Sequence, residues 1–374
     1  MSAPRPPISA VDTGTTALIG HIPDSADPPG MLYRAASWAE FLRLARPSPN
    51  SGRAWNDLLY AVDGFFRNGG RRCVVAEGGM GDERGLAAAL DALAAVEDVS
   101  IIAAPGLIAP AAYDALTAHC EAMRDRVAIL DGPGELTDAH LKVMAGAADE
   151  APDGWRMPPP SPEGYTTLYA PRIIVADPEA PAGPTVRVPA SGHIAGAWAA
   201  NDIQRGVWKA PAAVSVAGAV DVARRLTEAE QSLINPRGIN ALRVFPGRGV
   251  LLWGARTLSP DAEWRYIPVR RLLTMITGSI GRPTGWVMDE PNNEPLWIDL
   301  RRVIEEFLFG LWRAGALMGD KPEHAFFVRC DRSTMTQNDL DNGRVIVLIG
   351  VAPVRPAEFV IFRVAWSAAG FVAG

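Results

Sequence analysis

The chain has 374 residues, 48% of them hydrophobic and 21% charged, which is enough for two or three domains with a substantial buried core. A formal net charge of −6 without any Lys/Arg-rich run excludes general binding to a nucleic-acid backbone, because that partner demands a basic face. Cys73, Cys120 and Cys330 are scattered and form no C-x-x-C pair, so neither a disulfide framework nor a structural zinc is expected, and folding in a reducing cytoplasm fits best.

The opening residues, Met1 to Pro7, are proline-rich and lack the apolar core of a signal peptide. No apolar run approaches the ~18 residues of a membrane-spanning helix, so no membrane insertion is expected. From Thr15 to about Asp177, short β-branched runs alternate with longer helical stretches, the pattern of an α/β layered domain. Strands are expected at Ala17 to Ile22, Arg72 to Ala76, Val99 to Ala103, Val127 to Leu130 and Arg172 to Ala176. Ser37 and Glu40 form a capping box that opens a helix near Trp38 to Leu44. A second helix, Trp55 to Asn68, gathers Leu58, Leu59, Val62, Phe65 and Phe66 on one face and stops at Gly69-Gly70. Others are expected at Leu86 to Val96 and, behind Pro110, at Ala111 to Arg124.

Five prolines in Pro152 to Pro162 and four in Pro178 to Pro189 mark extended surface segments and candidate boundaries. The expected organisation is a short N-terminal arm (1–14), an α/β domain (15–180), a second domain (181–352) and a C-terminal arm (353–374). In the second half, Leu300, Val303, Ile304, Phe307, Leu308 and Leu311 share one face of a helix from Asp299 to Trp312. Strands follow at Ala325 to Arg329, Arg344 to Val351 and Phe359 to Trp366.

Few residues offer chemistry. The glycine-rich Gly78 to Gly85 stands between a strand and a helix, where a phosphate loop would sit. It lacks the G-x-x-x-x-G-K-[ST] pattern and the dinucleotide spacing, and Asp82 and Glu83 would repel a phosphate, so it reads as a turn. Ser191, His193 and Asp202 supply the residue types of a nucleophile, a base and an orienter, but without a nucleophile elbow. The five histidines show no metal-ligand spacing, and Pro291 and Pro295 interrupt the acidic stretch from Asp289 to Glu294. No catalytic, cofactor-binding or metal residue is therefore assigned.

The terminal strand Phe359, Val360, Ile361, Phe362, Arg363, Val364, Ala365, Trp366 has high β-propensity and needs a partner. Pro353, Val354, Arg355 and Pro356 precede it as a stiff hinge. Either it closes the chain's own sheet, or it is donated to a neighbouring molecule, which propagates a helical filament when the contact does not close.

The run Val188-Pro189-Ala190-Ser191-Gly192-His193-Ile194-Ala195-Gly196, followed by Arg205-Gly206-Val207-Trp208-Lys209-Ala210-Pro211, resembles the signature of contractile tail sheath proteins. Asn235 to Asn240, Phe245 to Gly249, Trp253 to Leu258, Arg270-Arg271, Asp341 to Arg344 and Ile349 to Phe359 follow in that family's order. The resemblance implies an α/β plus α+β chain, with a C-terminal sheath domain and a strand-donating arm. It also implies a structural, non-enzymatic subunit without a cofactor, stacked in hexameric rings around an inner tube that contraction drives through a target envelope. The implied partners are further copies, the tube protein, and baseplate and terminator or cap proteins, with assembly in a bacterial cytoplasm as part of a phage tail or tail-like particle. The usual P-G-V-Y-x-E-E-like first strand is missing. Ile8 to Asp12 is then a minimal arm, or the chain is an end-capping or adaptor paralogue; a soluble enzyme using Gly78 to Gly85 is the remaining alternative.

Overall fold

The computed structural model describes residues 6–23, 25–45, 55–79, 83–177, 180–281, 287–354, 360–367 and 370–373. In chain order, the first half contains β1 (Thr16–Gly20), β2 (Leu32–Ala35), α1 (Trp38–Ala45), α2 (Asp57–Arg67), β3 (Cys73–Glu77), α3 (Glu83–Ala94), β4 (Ile101–Ala103), α4 (Pro110–Met123), β5 (Val127–Asp131), α5 (Asp138–Met144), β6 (Thr166–Ala170) and β7 (Ile173–Asp177). Then come β8 (Ala180–Val188), α6 (Ser191–Arg205), β9 (Ala219–Val222), α7 (Glu228–Ile234), β10 (Ile239–Phe245), β11 (Gly249–Trp253) and α8 (Ile267–Gly281). The remainder holds α9 (Glu294–Arg313), α10 (Pro322–Ala325), β12 (Phe326–Arg329), α11 (Gln337–Asp341), β13 (Val345–Val351), β14 (Val360–Ser367) and β15 (Gly370–Ala373).

Contacts divide the chain into two units, Asp12–Arg271 and Met1–Val11 with Leu272–Gly374. The first is built on an eight-stranded sheet in the order β11-β10-β6-β5-β4-β1-β3-β2. The six strands from β10 to β3 run parallel, and antiparallel β11 and β2 close the edges. Strands β3, β4, β5 and β6 are buried along their whole length, as a sheet covered on both faces requires. Because parallel crossovers are right-handed, α2 covers one face and α3 and α4 the other.

Helix α6 lies against α2 on the first of these faces. The contact is set by small residues: a Cβ on Gly192 would come within 2.4 Å of the Ala61 carbonyl, and one on Gly196 within 2.2 Å of the Phe65 carbonyl. Helix α2 begins at Asn56, whose side chain accepts the Leu59 N–H, and ends before Gly69 at φ +92°.

The division between units falls inside α8, not at the proline-rich stretches. Strand β8 tolerates Pro181 and Pro184 because it is an edge strand of the small sheet β8-β7-β9, pairing among the described residues only with β7. Strand β10 then returns to pair with β6, so residues beyond 181 complete the first sheet. In the other unit, α9 buries Leu300, Val303, Ile304, Leu308 and Leu311 as its spacing predicts, while Phe307 is half-exposed. It packs on the sheet β12-β13-β14-β15. The helix starts earlier than the apolar pattern suggests because Asn293 caps it by accepting the Leu296 N–H.

The close α2–α6 approach predicts that Gly196→Ala destabilises the chain by about 1–3 kcal/mol, the usual cost of overpacking. Gly310 is an exposed α9 position with nothing near its missing Cβ, so Gly310→Ala is expected to be neutral or to stabilise by up to about 1 kcal/mol. Urea denaturation of both variants checks the pair.

Candidate functional site

A doubly wound sheet binds ligands outside the carboxyl ends of its strands, so that edge is where chemistry would be sought. Here the chain fills it. Asp131, at the end of β5, accepts the N–H groups of Ala190 and Ser191 on Oδ1 at 2.9 and 3.0 Å. Its Oδ2 accepts the Ser191 hydroxyl at 2.6 Å and the Gly106 N–H at 3.3 Å. Burial raises the Asp131 pKa, and the Ser191 hydrogen bond opposes that rise. Beside it Asp57 pairs with Arg172 at 3.3 Å, so close to Gly106 that a Cβ there would lie 2.1 Å from the Asp57 carboxylate.

The glycine-rich loop gives the same result. Gly79 donates to the buried Glu77 carboxylate at 2.9 Å, and Ile22 donates to its other oxygen at 2.9 Å, so an anionic group already stands at the loop mouth. Met80, Gly81 and Asp82 lie outside the described residues.

Ser191, His193 and Asp202 all belong to α6 but do not meet. Ser191 is committed to Asp131. His193 turns to α2, where a Cβ on Gly64 would come within 2.2 Å of its ring, and its Nδ1 has no partner among the described residues. Burial, and secondarily the Arg67 charge, lower its pKa to about 4. Asp202 lies nine residues along the helix, roughly 13 Å in rise, and bonds elsewhere.

The other motif residues shape backbone. Gly206 ends α6 at φ +92°, Gly238 turns into β10 at φ +87°, and Gly247 and Gly249 make the β10–β11 turn at φ +72° and +71°. Asn240 is buried and holds the segment before α8 by donating to the Arg256 carbonyl and accepting the Arg256 N–H, both at 2.8 Å. Arg270 is buried between the rings of Tyr165 and Trp264, 4.3 Å from each centroid.

No group of His, Cys, Asp or Glu among the described residues is arranged to hold a metal ion. No helix among them is long and apolar enough to cross a membrane. An open groove lies between α9, α10 and β12, lined by Glu305, Glu306, Phe309, Glu323 and Phe327 among others. Its charge is negative, which suits neither a phosphate nor a nucleic acid.

The terminal strand is where the sequence left two partners open. Strand β14 pairs antiparallel with β13 of the same chain, from Val345↔Trp366 to Val351↔Val360, and β15 folds back on β14. The hinge residues Pro353 and Val354 are tied to the body, Pro353 by a bridge to Leu317 and Val354 by its N–H to the Ala316 carbonyl at 3.2 Å. Arg355, Pro356 and Phe359 lie outside the described residues. The missed features are α6 and the buried roles of Asp131 and Arg271; an S-G-x-x-A-G run of small residues was the available signal for α6.

Residues 82–258 match the family model for the phage tail sheath protein central domain, and residues 259–367 match that for the phage tail sheath C-terminal domain. The chain is 24% identical over 297 residues to a prophage major tail sheath protein of Pseudomonas aeruginosa, covering 76% of this chain and 69% of that protein. Its fold superposes on the helical sheath of the anti-feeding prophage in the contracted state, with TM-score 0.77, 31% identity, and coverage of 96% of this chain and 95% of that one. The sixfold-symmetrised baseplate structure of the same prophage gives TM-score 0.78 at 30% identity, over 96% of this chain and 95% of that chain.

The lowered pKa of His193 carries a pH dependence. Above pH 6.5 the imidazole is neutral in both states; as pH falls from 6.5 to about 4 the unfolded chain takes up a proton that the native site refuses, so native stability falls. The loss attributable to this residue is at most roughly 3 kcal/mol. Asp131 and Asp202, with raised pKa values, act in the opposite sense, but they are common to wild type and variant. His193→Asn is therefore expected to lose less stability than wild type between pH 7 and pH 4 in thermal melts, whatever its starting value.

Proposed function

The chain belongs to the phage tail sheath family, and from that premise we propose that it polymerises as stacked hexameric rings around an inner tube and contracts to drive the tube through a target envelope. It is a contractile-sheath subunit of a phage tail or phage-like injection system. The observation that carries the finer reading is the near-complete correspondence with a helical sheath in its contracted state. The sixfold symmetry of the related baseplate assembly supports hexameric rings and a baseplate partner. The tube protein and the terminator or cap proteins complete the set of partners, and assembly takes place in the bacterial cytoplasm.

No chemistry is assigned. The edge of the sheet where a ligand would sit is occupied by Asp57, Asp131, Arg172 and Ser191, which bond to one another's segments. Strand exchange supplies the connection between subunits. The β13–β14 ladder has seven residue pairs, and its hydrogen bonds are the same whether β14 comes from this chain or a neighbour. Donation by Phe359, Val360, Ile361, Phe362, Arg363, Val364 and Trp366, on the hinge Pro353, Val354, Arg355 and Pro356, would keep the main-chain bonds of that ladder.

Produced with its tube protein, the chain is expected to form cylinders in negative-stain electron micrographs; a homogeneous monomer under those conditions would sink the proposal. Deleting residues 360–374 is expected to abolish the cylinders and leave a soluble remainder with near-native circular dichroism. Global unfolding would instead assign β14 to the subunit's own core.

A further inference from the structure

Asp202 and Arg271 form a bidentate ion pair, Nη1 to Oδ1 at 3.0 Å and Nη2 to Oδ2 at 2.7 Å, with both side chains 4% exposed. Thr13 completes the cluster. Its hydroxyl donates to Asp202 Oδ2 at 2.6 Å, and its carbonyl accepts from Arg271 Nη2 at 2.7 Å. The guanidinium lies 4.8 Å from the centroid of the Trp198 ring, one turn back along α6. Asp12 is fixed alongside by Thr15, which donates its N–H at 3.0 Å and its hydroxyl at 2.6 Å, and by Arg72 at 3.1 Å.

The position of the cluster in the chain is what matters. The chain passes between its two units twice, from Val11 to Asp12 and from Arg271 to Leu272. Thr13 is the second residue after one passage and Arg271 the last before the other. A buried ion pair is a poor way to gain stability, since apolar side chains of similar volume serve as well; what its two parallel hydrogen bonds add is a fixed orientation.

We propose that the Asp202–Arg271–Thr13 cluster is the common root of both passages: it ties them to one point on α6, so that displacement of residues 272–374 reaches residues 12–271 through that helix. The mechanical consequence rests on the sheath reading; the root itself does not. Asp202, Arg271 and Thr13 are positioning residues.

Hydrogen exchange by mass spectrometry on the free full-length chain tests the root without any assembly. Asp202→Asn is expected to speed exchange at least about tenfold in peptides covering 12–16 and 267–275, leaving β4, β5 and β6 unchanged, because local opening is distinct from global unfolding. Unchanged exchange there, or equal acceleration throughout the sheet, overturns the proposal. Should that variant fail to fold, Thr13→Val, which removes only the hydroxyl, decides it by faster exchange at 12–16, with Thr13→Ser restoring protection. In cylinders, Asp202→Asn is expected to assemble and to lose most of the triggered contraction that wild type shows; wild-type-like contraction overturns the transmission claim. If wild type forms no cylinders, the sheath reading fails and the exchange result still stands.

Discussion

A single buried carboxylate fixes the helix around which the larger unit is arranged. Asp131 accepts the first N–H groups of α6, which no residue within the helix can satisfy, and it does so from the end of β5. A carboxylate buried without partners would cost several kcal/mol, so the sheet edge and the helix start are mutually dependent. Farther along, Gly192 and Gly196 let α6 approach α2 within a distance that any side chain would prevent. The helix is thus positioned at its start by charge, along its length by shape, and near its end by Asp202.

That arrangement accounts for residues that read as chemistry in the sequence. At about 100° per residue, positions nine apart point to opposite sides of a helix, so His193 and Asp202 could not have shared a site once their segment was helical. Ser191 is at the first turn, where its hydroxyl finds Asp131. The segment does not announce a helix because every residue from Ser191 to Ala199 is buried, with glycine and alanine around Ile194 and Trp198, so no polar face gives the contrast that a periodicity reading needs.

Other elements were plainly legible. The strands at 17–22, 72–76, 99–103, 127–130 and 172–176 correspond to β1, β3, β4, β5 and β7 within a few residues, and α2, α4 and α9 follow their caps and apolar faces. The Ser37 box forms with one change: Glu40 reaches back to the Ala36 N–H at 2.8 Å while its own N–H donates to Ser37. Strand β6 escaped notice because Thr166 and Thr167 suggest exposure, although both are buried: Thr167 donates to the Ala128 carbonyl of the neighbouring strand at 3.0 Å. The unit boundary was hidden because it depends on β10 joining β6 over a long sequence separation, which local composition cannot encode.

Perturbed pKa values usually point to functional sites, and this chain shows why the inference needs access as well as perturbation. Asp131, His193, Asp202 and Arg270 are all displaced by burial, in the direction that disfavours charge. Each is enclosed by the chain's own segments: Asp131 by the start of α6, His193 by Gly64, Asp202 by Arg271 and Thr13, Arg270 by two aromatic rings. A general acid or base must exchange its proton with a substrate it can touch. Groups sealed this way fix orientation instead: Asp131 and Asp202 at the two ends of α6, and Arg270 at the start of α8.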